Sequence, residues 1–330
     1  MTVLVTGGAG YIGSHMVLEL RDAGETVAVI DNLSTGFDWA VPEDVPLHVG
    51  NIGDQEFVRG VLRERKIDAI IHFAGSIIVP ESVENPLLYY RNNTANTRNL
   101  IEVAVECGIT RFIFSSTAAV YGNPEENPVS EDARLFPLSP YGRSKLMSEE
   151  MMADVATAHD FEYVALRYFN VAGADPAGRG GQSTPRATHL IKVACETALG
   201  RRPKMQIFGT DYPTPDGTCI RDYIHVKDLA MAHVAALEHL RRGGKSNVFN
   251  CGYSRGFSVR EVISAVKSVS GVDFEVELAP ARAGDPAAII AKSDKIRTAL
   301  GWRPAHADLE GIVRNALDWE RHLMDRQKAD

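Results

Sequence analysis

Val3-Leu4-Val5-Thr6-Gly7-Gly8-Ala9-Gly10-Tyr11-Ile12-Gly13-Ser14-His15 is the stretch that decides the fold. Residues 3–6 form an apolar run of strand length, and residues 11–23 carry a helical pattern. Gly7, Gly10 and Gly13 lie at the junction. A glycine there permits a tight turn, and its missing side chain lets a pyrophosphate approach the backbone. The helix that follows offers free N–H groups and the positive end of its dipole. The glycines alone would suit any strand-to-helix turn. With a strand before them and a helix after them, they read as a dinucleotide-binding turn.

A second strand, expected over 27–31, ends on Asp31, 18 residues past Gly13. A carboxylate there accepts from the adenosine ribose hydroxyls and repels a 2′-phosphate. Asn32, Leu33, Ser34, Thr35 and Gly36 include no Arg or Lys to attract one, so the cofactor expected is NAD, not NADP. Further strands are expected at 47–49, 69–74, 112–115 and 163–168, with helices over 54–65, 87–107 and 141–159. Apolar runs without polar alternation, separated by helices, mark a parallel sheet covered on both faces. The fold class is therefore α/β, a Rossmann-type doubly wound sheet. After about residue 170 the texture changes, and 173–186 and 209–219 are rich in Gly, Pro and polar residues. A strand over 248–251 and helices near 259–269 and 309–326 follow. We expect an NAD-binding domain over 1–170 and a smaller mixed α/β substrate domain over 171–330, with the chain free to cross between them.

Composition bounds the function classes. The chain has 330 residues, 45% hydrophobic and 24% charged, which suits a globular protein of about two domains. A net charge of -8 argues against general affinity for nucleic acid or anionic lipid. Cys107, Cys195, Cys219 and Cys251 form no C-x-x-C pair and no zinc spacing, so they read as core filler in a reducing compartment, and no metal is expected. No apolar run reaches the ~18 residues of a membrane span, and the first residues lack a signal-peptide pattern. The expected location is the cytoplasm.

Tyr141-Gly142-Arg143-Ser144-Lys145 places a Tyr and a Lys four apart, on one face of a helix. Ser115-Ser116-Thr117 ends the strand before it. A free phenol, with a pKa near ~10, is a poor base at neutral pH. A nearby ammonium and a cationic nicotinamide ring favour phenolate and lower that value. Tyr141 can then take a proton from a substrate hydroxyl while hydride leaves the same carbon, with Thr117 holding the oxygen. A Tyr–Lys pair alone more often means a surface Tyr beside a solvated Lys. The glycine turn and the Ser-Ser-Thr strand end make the catalytic reading the stronger one.

These residues, together with HFAG at 72–75, SSTAAVYG at 115–122, SPYGRSKLMSE at 139–149, LRYFNVAGA at 166–174, IFGTDYPTPDGTCIRDYIHVKDLA at 207–230 and NCGYSRGFSV at 250–259, carry a family resemblance. The chain resembles the extended short-chain dehydrogenase/reductase family, and within it the branch of UDP-glucose (UDP-galactose) 4-epimerases. The resemblance implies a cycle in which Tyr141 removes the proton of the sugar 4-hydroxyl while hydride passes to tightly bound NAD. The 4-keto sugar turns in the site, and hydride returns to its other face. Lys145 then tunes Tyr141 and holds the nicotinamide ribose. By the same resemblance Tyr11, Ile12, Asp31 to Gly36, Asn51, Ile52, Phe73, Ala74, Gly75, Ser76, Ile77 and Asn93 match cofactor positions, and Phe169 lies beside the nicotinamide. Asn170, His189, Leu190, Gln206, Ile207, Phe208, Arg221, Arg282 and Asp285 match nucleotide-sugar positions. Arg221 and Arg282 would clamp the diphosphate, Asp285 would take the uridine ribose and Phe208 would pack on uracil. Ile289 stands where relatives set the room beside the sugar 2-substituent, and the plainer reading makes it part of a buried strand. The resemblance also implies a homodimer through the helices at 87–107 and 141–159.

Four departures from relatives stand out: Asn51 for a common Asp, Ile77 for an occasional Lys, His189 for a common Asn and Thr117 for a frequent Ser. Asn51 keeps an amide oxygen able to accept from an adenine amino group. Two other readings compete. A nucleotide-sugar dehydratase or decarboxylase would share the fold, but related dehydratases place Asp-Glu after the active hydroxyl residue, and here Ala118-Ala119 follow Thr117. A non-catalytic NAD-sensing protein would need the glycine turn without the Tyr–Lys pair.

Overall fold

Thr2–Thr6 (β1) is buried on both sides, because its unbroken apolar run leaves no polar face for solvent. The structure, a computed structural model, describes residues 1–184, 187–282 and 285–329. The strands continue as β2 (Thr26–Asp31), β3 (Leu47–Val49), β4 (Ile67–His72), β5 (Arg111–Ser115), β6 (Glu162–Tyr168), β7 (Asn170–Ala172), β8 (Met205–Phe208), β9 (Ile220–His225), β10 (Asn247–Cys251), β11 (Gly256–Ser258), β12 (Val276–Ala279) and β13 (Ala288–Ile289). The helices are α1 (Tyr11–Asp22), α2 (Gln55–Glu64), α3 (Val79–Glu84), α4 (Pro86–Tyr89), α5 (Asn96–Glu106), α6 (Pro140–Ala158), α7 (Leu190–Ala198), α8 (Val226–Arg241), α9 (Val259–Ser270), α10 (Asp294–Leu300) and α11 (Leu309–Ala329).

Seven parallel strands form the main sheet in the order β10-β6-β5-β4-β1-β2-β3. Alternate residues feed two cores. Val3, Val5, Val29, Ile71 and Val164 join the core on the side of α1 and α8. Leu4, Ile30, Ile70, Phe112 and Phe114 join the other, under α2, α5 and α6. The chain leaves β1 toward β2 and returns on the other side at β4. Strand order reverses there, and a crevice opens at the carboxyl ends, the place where open α/β sheets bind ligands.

The chain crosses back after residue 225: α8 packs on β5 and β6, and β10 pairs with β6. The remainder builds a small sheet, in which β9 pairs with β7, β11 and β13, and a parallel β8–β12 pair. The helices α7, α9 and α11 pack together beside it. Two expected elements differ. The strand expected over 69–74 spans Ile67–His72, and Phe73 and Ala74 turn off it with both N–H groups donating to the Thr6 carbonyl. The single helix expected over 87–107 is split by a π-helical segment, Tyr90–Ala95, between α4 and α5.

Candidate active site

Gly7 adopts φ +72, and a Cβ built there would sit 2.6 Å from the Ala74 nitrogen. A Cβ on Gly13 would sit 2.1 Å from the Gly7 carbonyl oxygen. The turn therefore tolerates only glycine at these points, and β1, β4 and α1 meet closely because of it. The first turn of α1 has no side-chain cap and no acidic residue. Its N–H groups and positive dipole end are left for an anion. Asp31 closes the loop from the other side: its carboxylate accepts from the Ala9 and Leu33 N–H groups at 2.9 and 2.8 Å. Gly36 packs on Ala9, and the Phe37 N–H donates to the Ala9 carbonyl. This glycine cradle, uncapped helix and carboxylate fit a dinucleotide.

The catalytic candidates converge on the same edge. Thr117 follows β5, and Tyr141 and Lys145 lie one turn apart on α6; all three are buried. Ser139 caps α6, accepting from the Gly142 N–H at 3.2 Å. Thr117 lies beside the Tyr141 phenol and accepts from the Ala119 N–H at 3.1 Å. Lys145 Nζ donates to the Ser115 carbonyl at 2.8 Å and lies 4.8 Å from the Phe114 ring centre. Burial pushes Lys145 down to about 8, and Glu149 pulls it back up. The expected depression of Tyr141 is not what the protein alone supplies. Burial raises its pKa above the ordinary phenol value, and only the neighbouring Thr117 hydroxyl opposes that.

Behind the site runs a buried network the sequence reading missed. Ser116 Oγ donates to Glu149, Arg167 forks onto the same carboxylate at 2.6 Å, and Arg167 also donates to Tyr121 OH at 3.0 Å. Tyr121 OH donates to Asn250 Oδ1 at 2.7 Å. Glu149 was within reach of spacing arguments, since it lies one turn past Lys145 on α6. Arg167 and Asn250 carry no local signal.

The remaining predicted residues divide. Tyr11 OH donates to the Gly173 carbonyl at 2.7 Å, tying the glycine turn to the loop after β7. Ile12 packs against the first core, Ile52 is buried in the second, and Ile77 is half exposed. Asn93 is engaged by protein: it accepts from the Ser76 N–H at 2.7 Å and donates to the Ser76 carbonyl and Ser144 Oγ. It holds the Gly75–Ser76 turn against α6. The Asn51 amide oxygen accepts from the Gly53 N–H and from Asn96, so the lone pairs expected to meet an adenine amino group are in use. Phe169 and Ile289 are buried together with Ala118, Val120 and Val129. Ile289 therefore lies on a buried strand, as its plainer reading has it, and also directly against the Phe169 cluster.

Asn170, His189 and Leu190 line a small cleft with Gln182 and Tyr223. On the far side, Arg282 stacks 3.8 Å from the centre of the Phe208 ring, covering one face of the ring expected to meet uracil. Arg221 pairs with Asp285 at 3.7 Å, so the expected diphosphate clamp and ribose acceptor are brought together. Residues 283 and 284, between Arg282 and Asp285, lie outside the described residues. Gln206 donates to Glu277 at 3.2 Å, and Ile207 has a buried side chain and pairs with Leu278 in the β8–β12 ladder. His225 is buried and structural, its ring bonded to Asn315 and accepting from the Lys227 N–H. Among the described residues no group of His, Cys, Asp or Glu could hold a metal ion, and no helix is long and apolar enough to cross a membrane.

Comparisons with known proteins agree with this geometry. A model of the NAD dependent epimerase/dehydratase family matches residues 3–252. A UDP-glucose 4-epimerase of Azospirillum brasilense is 60% identical over 97% of this chain and 92% of its own length. The solved UDP-Glc/GlcNAc 4-epimerase of Campylobacter jejuni is 52% identical, with a TM-score of 0.85 over 97% of this chain and 99% of that one. The UDP-glucose 4-epimerase of Bifidobacterium longum, solved with NAD+ and UDP, is 37% identical, with a TM-score of 0.92 over 98% of each chain.

Proposed function

Because the chain belongs to the NAD dependent epimerase/dehydratase family, we propose that it interconverts UDP-glucose and UDP-galactose by inverting the sugar at C4. The observation that carries this reading is the convergence of Thr117, Tyr141 and Lys145 beside the glycine cradle, with only Ala118 and Ala119 after Thr117. A dehydratase needs a further acid/base pair to lose water across C5–C6, and no carboxylate follows Thr117 to serve it.

Bound NAD supplies reversible hydride acceptance at C4, so the sugar passes through a 4-keto stage and no net oxidation results. Tyr141 Oη takes the 4-hydroxyl proton and later returns it. Thr117 Oγ1, beside the phenol, holds the sugar O4 against Tyr141. Lys145 has donors to spare beyond its bond to Ser115 and serves the nicotinamide ribose, while its charge favours phenolate. The turn at Gly7–Gly13 and the α1 N-terminus take the pyrophosphate, and the free lone pairs of Asp31 take the adenosine ribose. Asn51 meets the adenine end by its amide nitrogen instead of its oxygen. Arg221 and Arg282 take the UDP diphosphate as forked donors.

On this reading NAD sits on 1–170 with the crossing 226–251, and the nucleotide sugar on the rest of 171–330. The enzyme works in the cytoplasm, in keeping with its four unpaired cysteines. A second copy docks across the helices at 87–107 and 141–159, which the exposed Leu87 and Met147 support.

The test is chemical. Purified protein incubated with UDP-galactose alone should yield UDP-glucose, and denaturation should release NAD. Release of NADP, or turnover only with added NAD, would defeat the tight-binding reading. A 6-deoxy-4-keto product would favour the dehydratase.

A further inference from the structure

Gln182 lies in the loop between β7 and α7, nine-tenths buried. Its side-chain amide nitrogen donates to His189 Nδ1 at 2.7 Å, and its backbone carbonyl accepts from Lys192 Nζ at 2.9 Å. A neutral imidazole that accepts at Nδ1 carries its proton on Nε2. His189 also occupies the N-cap of α7 without capping it, and the first turn of α7 holds no acidic residue. The end of that helix therefore favours an anion in the cleft that Gln182 and His189 line with Asn170 and Tyr223.

We infer that Gln182 is a positioning residue: it fixes the proton of His189 on Nε2, so that His189 donates to a diphosphate oxygen of the nucleotide sugar. This rests on the nucleotide-sugar reading above. The charged group that acts on the ring is Lys192 on α7; Lys192 pairs with Glu196 on the same helix and with Glu320 on α11, and Glu320 and Tyr223 on β9 line the cleft with His189. Both carboxylates are already paired, Glu320 with Lys192 and Arg201, and Glu196 with Lys192 and Arg202. Burial and the Lys192 charge hold the imidazole below its ordinary pKa. The contact therefore delivers one donor whose strength does not vary between pH 7 and 9. A carboxylate in place of the Gln182 amide would accept from Nδ1–H instead, favour imidazolium and make the contact titrate.

UDP binding by calorimetry on the purified holoenzyme tests this. His189→Ala should weaken UDP about 10-fold, and in turnover should act on KM more than on kcat. His189→Gln, with an N–H at similar reach, should recover most of that loss. Wild-type affinity should stay flat from pH 7 to 9, and that of Gln182→Glu should fall as pH rises across the same range. A flat Gln182→Glu profile, or unchanged affinity in His189→Ala, would overturn the inference. No UDP binding by the wild type would overturn the nucleotide-sugar reading, and the inference with it.

Discussion

Tyr141 must lose a proton in a site that, by burial alone, holds it protonated. Its replacement is the sharpest residue-level test. Tyr141→Phe keeps the ring and should cut interconversion by about 100-fold to 10,000-fold while UDP binding stays largely intact. Near-normal turnover would mean another base acts. Lys145, down to about 8, loses its charge as pH rises through that value, so kcat should fall above about pH 8 if its ammonium supports the phenolate. A kcat that stays level to pH 10 would contradict that role. Ile289 gives a specificity test. Its side chain belongs to the buried cluster that holds Phe169 and Ala118, the residue after Thr117. Wild type should prefer UDP-glucose and UDP-galactose over their N-acetyl forms by about 10-fold to 200-fold, the value of one branched side chain in a pocket. Ile289→Ala should narrow the gap, and an unmoved ratio would leave Ile289 a core residue only. Tyr141, Lys145 and Asp31 were legible because local spacing and chemistry define them. The engagement of the Asn93 amide and of the Asn51 oxygen by protein groups was not, since their partners are set by folding and not by sequence neighbours.

At the scale of elements, the main strands were readable because burial on both faces removes polar alternation. The split of the helix expected over 87–107 was not. A π-helical segment shifts hydrogen bonding to i→i+5 without changing composition in a recognisable way. Here it spans Tyr90–Ala95 and presents Asn93 to Ser76 and Ser144. A buried ion pair joins α6 to β6 through Glu149 and Arg167. Glu149→Ala leaves the guanidinium buried and uncompensated and should cost about 3–5 kcal/mol in urea unfolding. Glu149→Met with Arg167→Met should recover much of that. A loss below about 1 kcal/mol in the single variant would show that water replaces the pair.

At the scale of the molecule, the return of α8 and β10 to the main sheet could not be located from sequence, because a single edge strand reads the same in either lobe. The whole structure also carries a pH signature. His72, His225 and His233 are buried, and desolvation lowers them to about 3, 4 and 4. Between the ordinary imidazole value and those values, the unfolded chain binds protons that the folded one refuses. Stability is thus complete above about pH 6.5 and is lost as pH falls toward 4, by up to ~1.4 kcal/mol per pH unit for each histidine. The melting temperature should drop steadily over that range, and a flat profile would contradict the buried neutral state. The central claim is that one carbon is oxidised and reduced within one closed site. UDP-glucose carrying deuterium at C4, given to purified protein without added cofactor, measures this directly. The account predicts UDP-galactose with the deuterium still on C4. Product that has lost the label to water, or no product at all, would contradict it.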